Sequence, residues 1–254
     1  MDLTKDSLPF ITGMGYRKKC DFIYDEFYQF DINKVNQFDG MKIFVKTDML
    51  NDFKSIILPN IKNKFILYTH NSDLSINDSY LSIMNNDYLL KWYGQNINFL
   101  HYKLFSIPIG IANIRWPHGN TDIIKKVMIE NNKKVNNVYC NIDINTNMNE
   151  RTTCLNSIYP IKNSERVDFE SYLREISKSY FVISPNGNGI DCHKTWESIY
   201  FKSIPVVTNS INISYYKEYP ILIIEKWSDL KNISLDENLY NKIMEKYKNF
   251  KLLS

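Results

Sequence analysis

Between Ser184 and Glu197 the chain reads Ser-Pro-Asn-Gly-Asn-Gly-Ile-Asp-Cys-His-Lys-Thr-Trp-Glu, a dense run of side chains capable of chemistry. Gly187 and Gly189 can turn the main chain and let a ligand approach it where a Cβ would intrude. His193 and Lys194 follow, and Glu197 lies three residues beyond Lys194, which puts those two on nearly the same face of a helix. An apolar run, Phe181–Ile183, precedes the loop, and a second, Ile204–Val207, follows the helix-period segment. That order predicts strand, glycine loop, helix, strand: a βαβ unit whose polar cluster sits where loop becomes helix. Backbone N–H groups and the helix dipole at such a junction favour an anion, so the pattern suits a phosphorylated ligand such as a nucleotide diphosphate.

Each residue also has a plainer reading. Two glycines can make an ordinary turn. Asp191 is expected to cap the helix, a bond worth ~1 kcal/mol. Cations in a first helical turn oppose the dipole and cost ~0.3–1 kcal/mol unless an anion lies beside them, so His193 and Lys194 point to a site more than to a surface accident. Glu197 could form an i,i+3 ion pair with Lys194, worth ~0.2–0.5 kcal/mol, or accept the hydroxyls of a ribose through both carboxylate oxygens. Trp196 belongs to an apolar stripe. The third glycine of a GxGxxG dinucleotide fingerprint would fall near residue 192, which is Cys, and this argues against a nicotinamide-dependent oxidoreductase.

The elements that must hold this cluster are legible as alternating apolar runs and helix-period segments. Strands are expected over Lys42–Val45, Phe65–Tyr68, Leu104–Ile111, Val138–Ile142, Phe181–Ile183, Ile204–Val207 and Ile221–Ile224. Helices are expected around Phe53–Ile57, around Tyr80–Met84, around Ile123–Met128 with Asn120 or Thr121 as cap, from Phe169 to Tyr180 with Asp168 as cap, around Trp196–Tyr200, and from Leu239 to Phe250. Strands alternating with helices imply parallel sheets with helices on both faces. The polar stretch 113–137, with Pro117 and Gly119, is the expected boundary: 1–130 a first domain, 131–235 a second, and 236–254 a C-terminal helix that could pack back toward the first.

Two further loops carry candidate chemistry. Asn145-Thr146-Asn147 precedes Arg151 after the first strand of the second half, where it either reaches the same phosphates or is a solvated turn and helix start. His70, Asn71 and Asp73 follow the Phe65–Tyr68 strand, and His118 sits in Trp116-Pro117-His118-Gly119. His70 also fits a buried structural histidine.

Composition removes several function classes. The 254 residues are 44% hydrophobic and 14% aromatic, enough for a packed core rather than a disordered chain. With 31 basic and 28 acidic residues the charge is too balanced for a nucleic-acid binder that relies on phosphate neutralisation. Cys20, Cys140, Cys154 and Cys192 form no CxxC pair, so reduced thiols in the cytoplasm are expected. The four histidines, His70, His101, His118 and His193, lie far apart in sequence, and no metal site is expected. Met1–Asp6 opens polar and charged, unlike a signal peptide, and no apolar run of ~18 residues could span a bilayer.

The 184–197 stretch closed by Ile204-Pro205-Val206-Val207 resembles the donor-binding motif of exostosin-like glycosyltransferases, and is similar to members from large DNA viruses and bacteria. Segments 219–230, 64–73, 104–113 and 116–120 match that pattern in order, so the likeness runs over roughly 40–235. The resemblance implies a GT-B-like α/β fold of two Rossmann-like parallel-sheet halves facing across a cleft. It implies an inverting hexosyl- or pentosyltransferase that moves sugar from a UDP- or GDP-sugar to a hydroxyl of a glycan or glycoprotein, without metal or other cofactor, in the cytoplasm (of an infected host cell, for a viral member).

On that resemblance Arg151, Ser184, Gly187, Asn188, Gly189, Asp191, His193, Lys194 and Glu197 would bind the donor. His70 or Asp73 would act as base, and Asn71 and His118 would touch the acceptor or line the cleft. Two positions depart from the pattern: Lys194 stands where Arg is usual, losing the planar fork, and Lys202-Ser203 replaces Gly-Cys. A left-handed residue at 202 would cost ~1 kcal/mol as Lys. The alternative is a catalytically degenerate module that binds a nucleotide or glycan.

Overall fold

A computed structural model of the chain describes residues 7–28 and 30–250. The opening Met1–Asp6 and the end of the C-terminal segment, Lys251–Ser254, lie outside them. The chain divides into two compact units, Met1–Ile109 and Gly110–Ser254.

In the first unit β1 (Phe22–Tyr24), β2 (Met41–Lys46), β3 (Phe65–His70), β4 (Leu89–Gly94) and β5 (Leu104–Ser106) form one parallel sheet in that order. The connections carry short helices: α1 (Gly13–Lys18), α2 (Ile32–Val35), α3 (Leu50–Asp52, continued by a π-helical turn) and α4 (Leu81–Met84). Consecutive residues Ile43, Phe44 and Val45 are buried, which marks β2 as covered on both faces. Trp92 donates its indole N–H to Thr69 Oγ1 at 2.8 Å inside this core, which satisfies two buried polar atoms at once. α1 is capped by Thr12, whose hydroxyl accepts from Gly15 N at 3.0 Å, and it packs against the end of β3.

The second unit begins with α5 (Thr121–Glu130), capped by Asn120 as expected. Its sheet is β6 (Asn136–Tyr139), β7 (Ser179–Ile183), β8 (Ile204–Thr208) and β9 (Leu222–Ile224), again parallel and in sequence order. Two helices, α6 (Met148–Ser157) and α7 (Phe169–Ser177), lie between β6 and β7. α8 (His193–Tyr200) joins β7 to β8, α9 (Ile211–Ser214) joins β8 to β9, and α10 (Glu237–Lys246) follows. Phe181, Ile183, Ile204 and Val206 share one core cluster with Cys154 of α6, with Ile158 just after that helix, and with Leu239 and Ile243 of α10. Val182 points the other way by strand alternation, toward the face where α7 and α8 pack. Helices therefore cover both faces of this sheet.

Both units are α/β with all-parallel sheets. Each sheet runs from one edge to the other in sequence order, so no reversal of strand order marks a ligand crevice and the loops at the carboxyl ends alone locate the site.

The division falls before Gly110 and not near residue 130, because α5 packs on α7 and is tied to it by the ion pairs Lys126–Glu170 (2.7 Å) and Arg174–Glu130 (2.8 Å). α10 packs on β7 of its own unit. α7 ends at Ser177, and Tyr180 belongs to β7. All four cysteines are free thiols. Among the described residues no helix is long and apolar enough to cross a membrane.

Candidate functional site

The carboxyl ends of β6 and β7 are stitched together by side chains from the start of α6. Asn147 caps α6, its Oδ1 accepting from Glu150 N at 3.4 Å, while its Nδ2 donates to Gly187 O at 2.8 Å. Arg151, in the first turn of α6 and 8% exposed, donates from Nη1 to Asp143 O at 2.7 Å and from Nε to Asn186 O at 3.0 Å. Its Nη2 makes no hydrogen bond among the described residues, and a Cβ placed on Gly187 would stand 3.3 Å from it. Gly187 lies outside the left-handed region, where the glycines among the described residues are Gly40 and Gly110. The glycine is thus useful for leaving space beside a guanidinium, and positive φ has no part in it.

The loop enters α8 through buried contacts. Ser184 N donates to Val206 O at 3.0 Å, and Ser184 Oγ lies 2.9 Å from Thr195 Oγ1. Asn188 is exposed, and Gly189 is buried. The N-cap residue is Cys192, whose side chain forms no capping hydrogen bond. Asp191 is not the cap: its Oδ1 accepts from Trp196 Nε1 at 2.8 Å and from Cys192 N at 2.9 Å. The side chain reaches along the helix to the indole.

Lys194 and Glu197 share a helix face as expected, but each has another hydrogen-bond partner. The Lys194 ammonium donates to Asn141 O and lies 5.9 Å from the Tyr172 ring centre. Glu197 Oε2 accepts from Tyr172 OH at 2.7 Å. Burial holds Lys194 below its ordinary pKa. Burial also pushes Glu197 up to about 7, against the opposing effects of the Tyr172 hydrogen bond and Lys194, and it raises Tyr172.

Arg151 and Lys194 are therefore two cations in the first turns of two helices, hydrogen-bonded to the carbonyl oxygens of Asp143, Asn186 and Asn141 and, among the described residues, to no carboxylate. Each opposes its helix dipole. Together with the first-turn amides of α6 and α8 they concentrate positive potential on one spot, with Glu197 beside it.

His193 Nδ1 lies 2.7 Å from Gly110 O, so that nitrogen carries the proton and donates. The His118 ring centre is 6.2 Å from that of His193, and Trp116 stacks over His118 at 6.3 Å and 14°. Burial lowers the His118 pKa.

In the first unit His70 is 2% exposed. Its Nδ1 accepts from Asn71 N at 2.7 Å and its Nε2 faces Pro108 O at 3.1 Å. An acceptor Nδ1 requires the Nε2–H form, so both nitrogens are held inside the unit, as in a structural histidine. Asn71 has a left-handed φ of 63° and contacts Met14 Sδ at 3.9 Å through Nδ2. Asp73 is exposed, with no hydrogen bond or ion pair among the described residues.

Sequence reasoning missed Tyr172 and Asn141. Tyr172 stands in the apolar stripe of α7, and only the pairing of α7 with α8 gives its hydroxyl a partner. No group of three or more His, Cys, Asp or Glu is placed to hold a metal among the described residues. The chain matches no protein-family model, and no curated protein is significantly similar to it.

Proposed function

We propose that the second unit binds the diphosphate of a nucleotide-sugar and that the chain is a glycosyltransferase, an inverting one acting on a hydroxyl of a glycan or glycoprotein. The observation that carries this is the pair Arg151–Lys194, two largely buried cations at the carboxyl ends of parallel strands whose hydrogen bonds, among the described residues, go to carbonyl oxygens and not to a carboxylate. A diphosphate would balance the two cations, and Glu197 stands beside Lys194 with Oε1 accepting no hydrogen bond among the described residues, which suits a ribose hydroxyl. The resemblance of Ser184–Glu197 to exostosin-like donor motifs agrees with this assignment.

In such a transfer the acceptor oxygen bonds to the sugar's anomeric carbon as the bond to the diphosphate breaks, and the acceptor proton passes to a base. Arg151, Lys194 and the first-turn amides of α6 and α8 would meet the leaving charge, so turnover is expected to persist in a chelator. As in GT-B enzymes, the donor would belong to the second unit and the acceptor to the first. Asp73 is the better base, because His70 would have to give up an internal hydrogen bond to accept a proton. The four free thiols agree with a reducing compartment such as the cytoplasm.

The closed bonding of His70 favours a second reading, a module that binds the nucleotide or glycan without turnover. The test is calorimetry with UDP- and GDP-sugars, followed by transfer and donor-hydrolysis assays. Donor binding with turnover that Asp73→Asn abolishes supports the transferase. Binding without turnover points to the module, and absence of nucleotide-sugar binding removes the transferase and leaves the module only as a glycan binder.

A further inference from the structure

At the amino ends of β6, β7 and β8, away from the Arg151–Lys194 cradle, the second unit has a cavity of about 630 Å³ whose lining includes Lys133, Lys134, Tyr180, Lys202, Glu237 and Tyr240. That volume is typical of small-molecule sites.

Lys134 is committed to the fold. Its ammonium donates to Ser177 O (3.2 Å), Ser179 O (2.8 Å), Phe201 O (3.3 Å) and Ser203 Oγ (2.8 Å). Ser177 ends α7 and Phe201 follows α8, so this one cation neutralises two helix C-termini.

Lys202 is not committed in this way. Its φ of 55° is left-handed, where a Cβ costs roughly 1–2 kcal/mol. Its carbonyl accepts from Tyr240 OH at 2.8 Å, but its ammonium has no hydrogen bond or ion pair among the described residues. Lys133 is exposed and equally unpaired. The carboxylate in the lining, Glu237, faces the Tyr180 hydroxyl. Positive charge is therefore in excess around the cavity, and the rings of Tyr180 and Tyr240, 4.9 Å apart, offer it flat apolar surface. Glycine would suit the backbone at 202 better, and what lysine adds there is a cation at the rim.

We propose that this cavity is a second ligand site for a small organic anion, its phosphate or carboxylate against Lys202 and Lys133 and a ring against Tyr180 and Tyr240. The proposal stands whether or not the cradle binds a nucleotide-sugar.

Phenyl phosphate carries both features and serves as the probe, titrated into isotope-labelled protein with amide shifts read by NMR. Saturable shifts are expected at Lys133, Lys202 and Tyr240, all in the cavity lining. Affinity should fall at least tenfold in Lys202→Gly and in Lys202→Asn, both compatible with the left-handed backbone and therefore expected to fold with an equal or raised thermal midpoint. Unchanged affinity in both folded variants overturns the proposal. So does the absence of a saturable shift, or shifts confined to 141–151 and 184–197.

Discussion

Tyr172 on α7 donates its hydroxyl to Glu197 on α8 at 2.7 Å, so a carboxylate buried between two helices depends on one phenol for its hydrogen bond. Burial outweighs that bond and leaves the acid near neutrality, at about 7. The same carboxylate stands beside Lys194, so its protonation sets the net charge of the cradle.

The pH dependence of stability follows from this. Glu197 takes up a proton more readily when folded than unfolded, so between the ordinary glutamate value and about 7 the folded state binds more protons. Its contribution is fully present at low pH and is lost as pH rises through that window, by on the order of 3 kcal/mol. Glu197→Gln should remove this slope. Urea midpoints of both proteins from pH 4 to 8 check it: the difference between the curves should grow with pH, and parallel curves would mean that Glu197 ionises normally.

How much of this was readable beforehand varies by residue. Seven strands follow from apolar runs, yet β1 and β4 do not. β1 has three residues, too few for a period. In β4 the register against β3 shifts, Phe65 pairing with Leu89 and Ile66 with Lys91, so Leu90 is extra and both it and Lys91 face solvent. An unpaired residue scrambles the alternation that a strand is recognised by. The run Leu104–Ile111 reads as one strand, but pairing stops at Ser106, ahead of Pro108 and the left-handed Gly110. The strain at Lys202 was foreseeable because helix ends favour one conformation. The reach of Asp191 to Trp196 was not, since capping and reaching along the helix use the same residue type at the same position.

Arg151→Lys tests whether the fork or the charge matters. Lysine keeps the cation but cannot donate to Asp143 O and Asn186 O while presenting a third group beside Gly187. Nucleotide-diphosphate affinity is expected to fall at least tenfold by calorimetry, with a loss of stability of about 1–2 kcal/mol from the two carbonyls. Unaltered affinity would show that a point charge suffices.

Gly13→Ala probes the close packing of α1 on β3. The added Cβ would stand 1.8 Å from Asn71 Oδ1 and 2.4 Å from His70 Nδ1, so these two side chains at the end of β3 must shift. Overpacking of this kind costs about 1–3 kcal/mol. If Asp73 is the base, this variant should also lose turnover while keeping donor affinity, because the shift falls two residues from Asp73. A drop in donor affinity instead would place the acceptor-side assignment in error.

Asp191 separates two physical accounts of the same loop. As a cap it would serve backbone amides, and Asp191→Ala would cost ~1 kcal/mol with no effect on tryptophan. As the acceptor for Trp196 Nε1 it satisfies an indole that is fully buried between Tyr216 (5.0 Å) and Tyr219 (5.1 Å) in edge-to-face contacts. Asp191→Ala then leaves a buried donor unsatisfied at about 1–3 kcal/mol and should change the near-ultraviolet circular dichroism of the folded protein. Asp191→Asn retains an oxygen that can accept from both Trp196 and Cys192, so its loss should be the smaller. Equal losses in the two variants, with an unchanged aromatic spectrum, would return Asp191 to the role of a cap and leave the first turn of α8 closed to an anion.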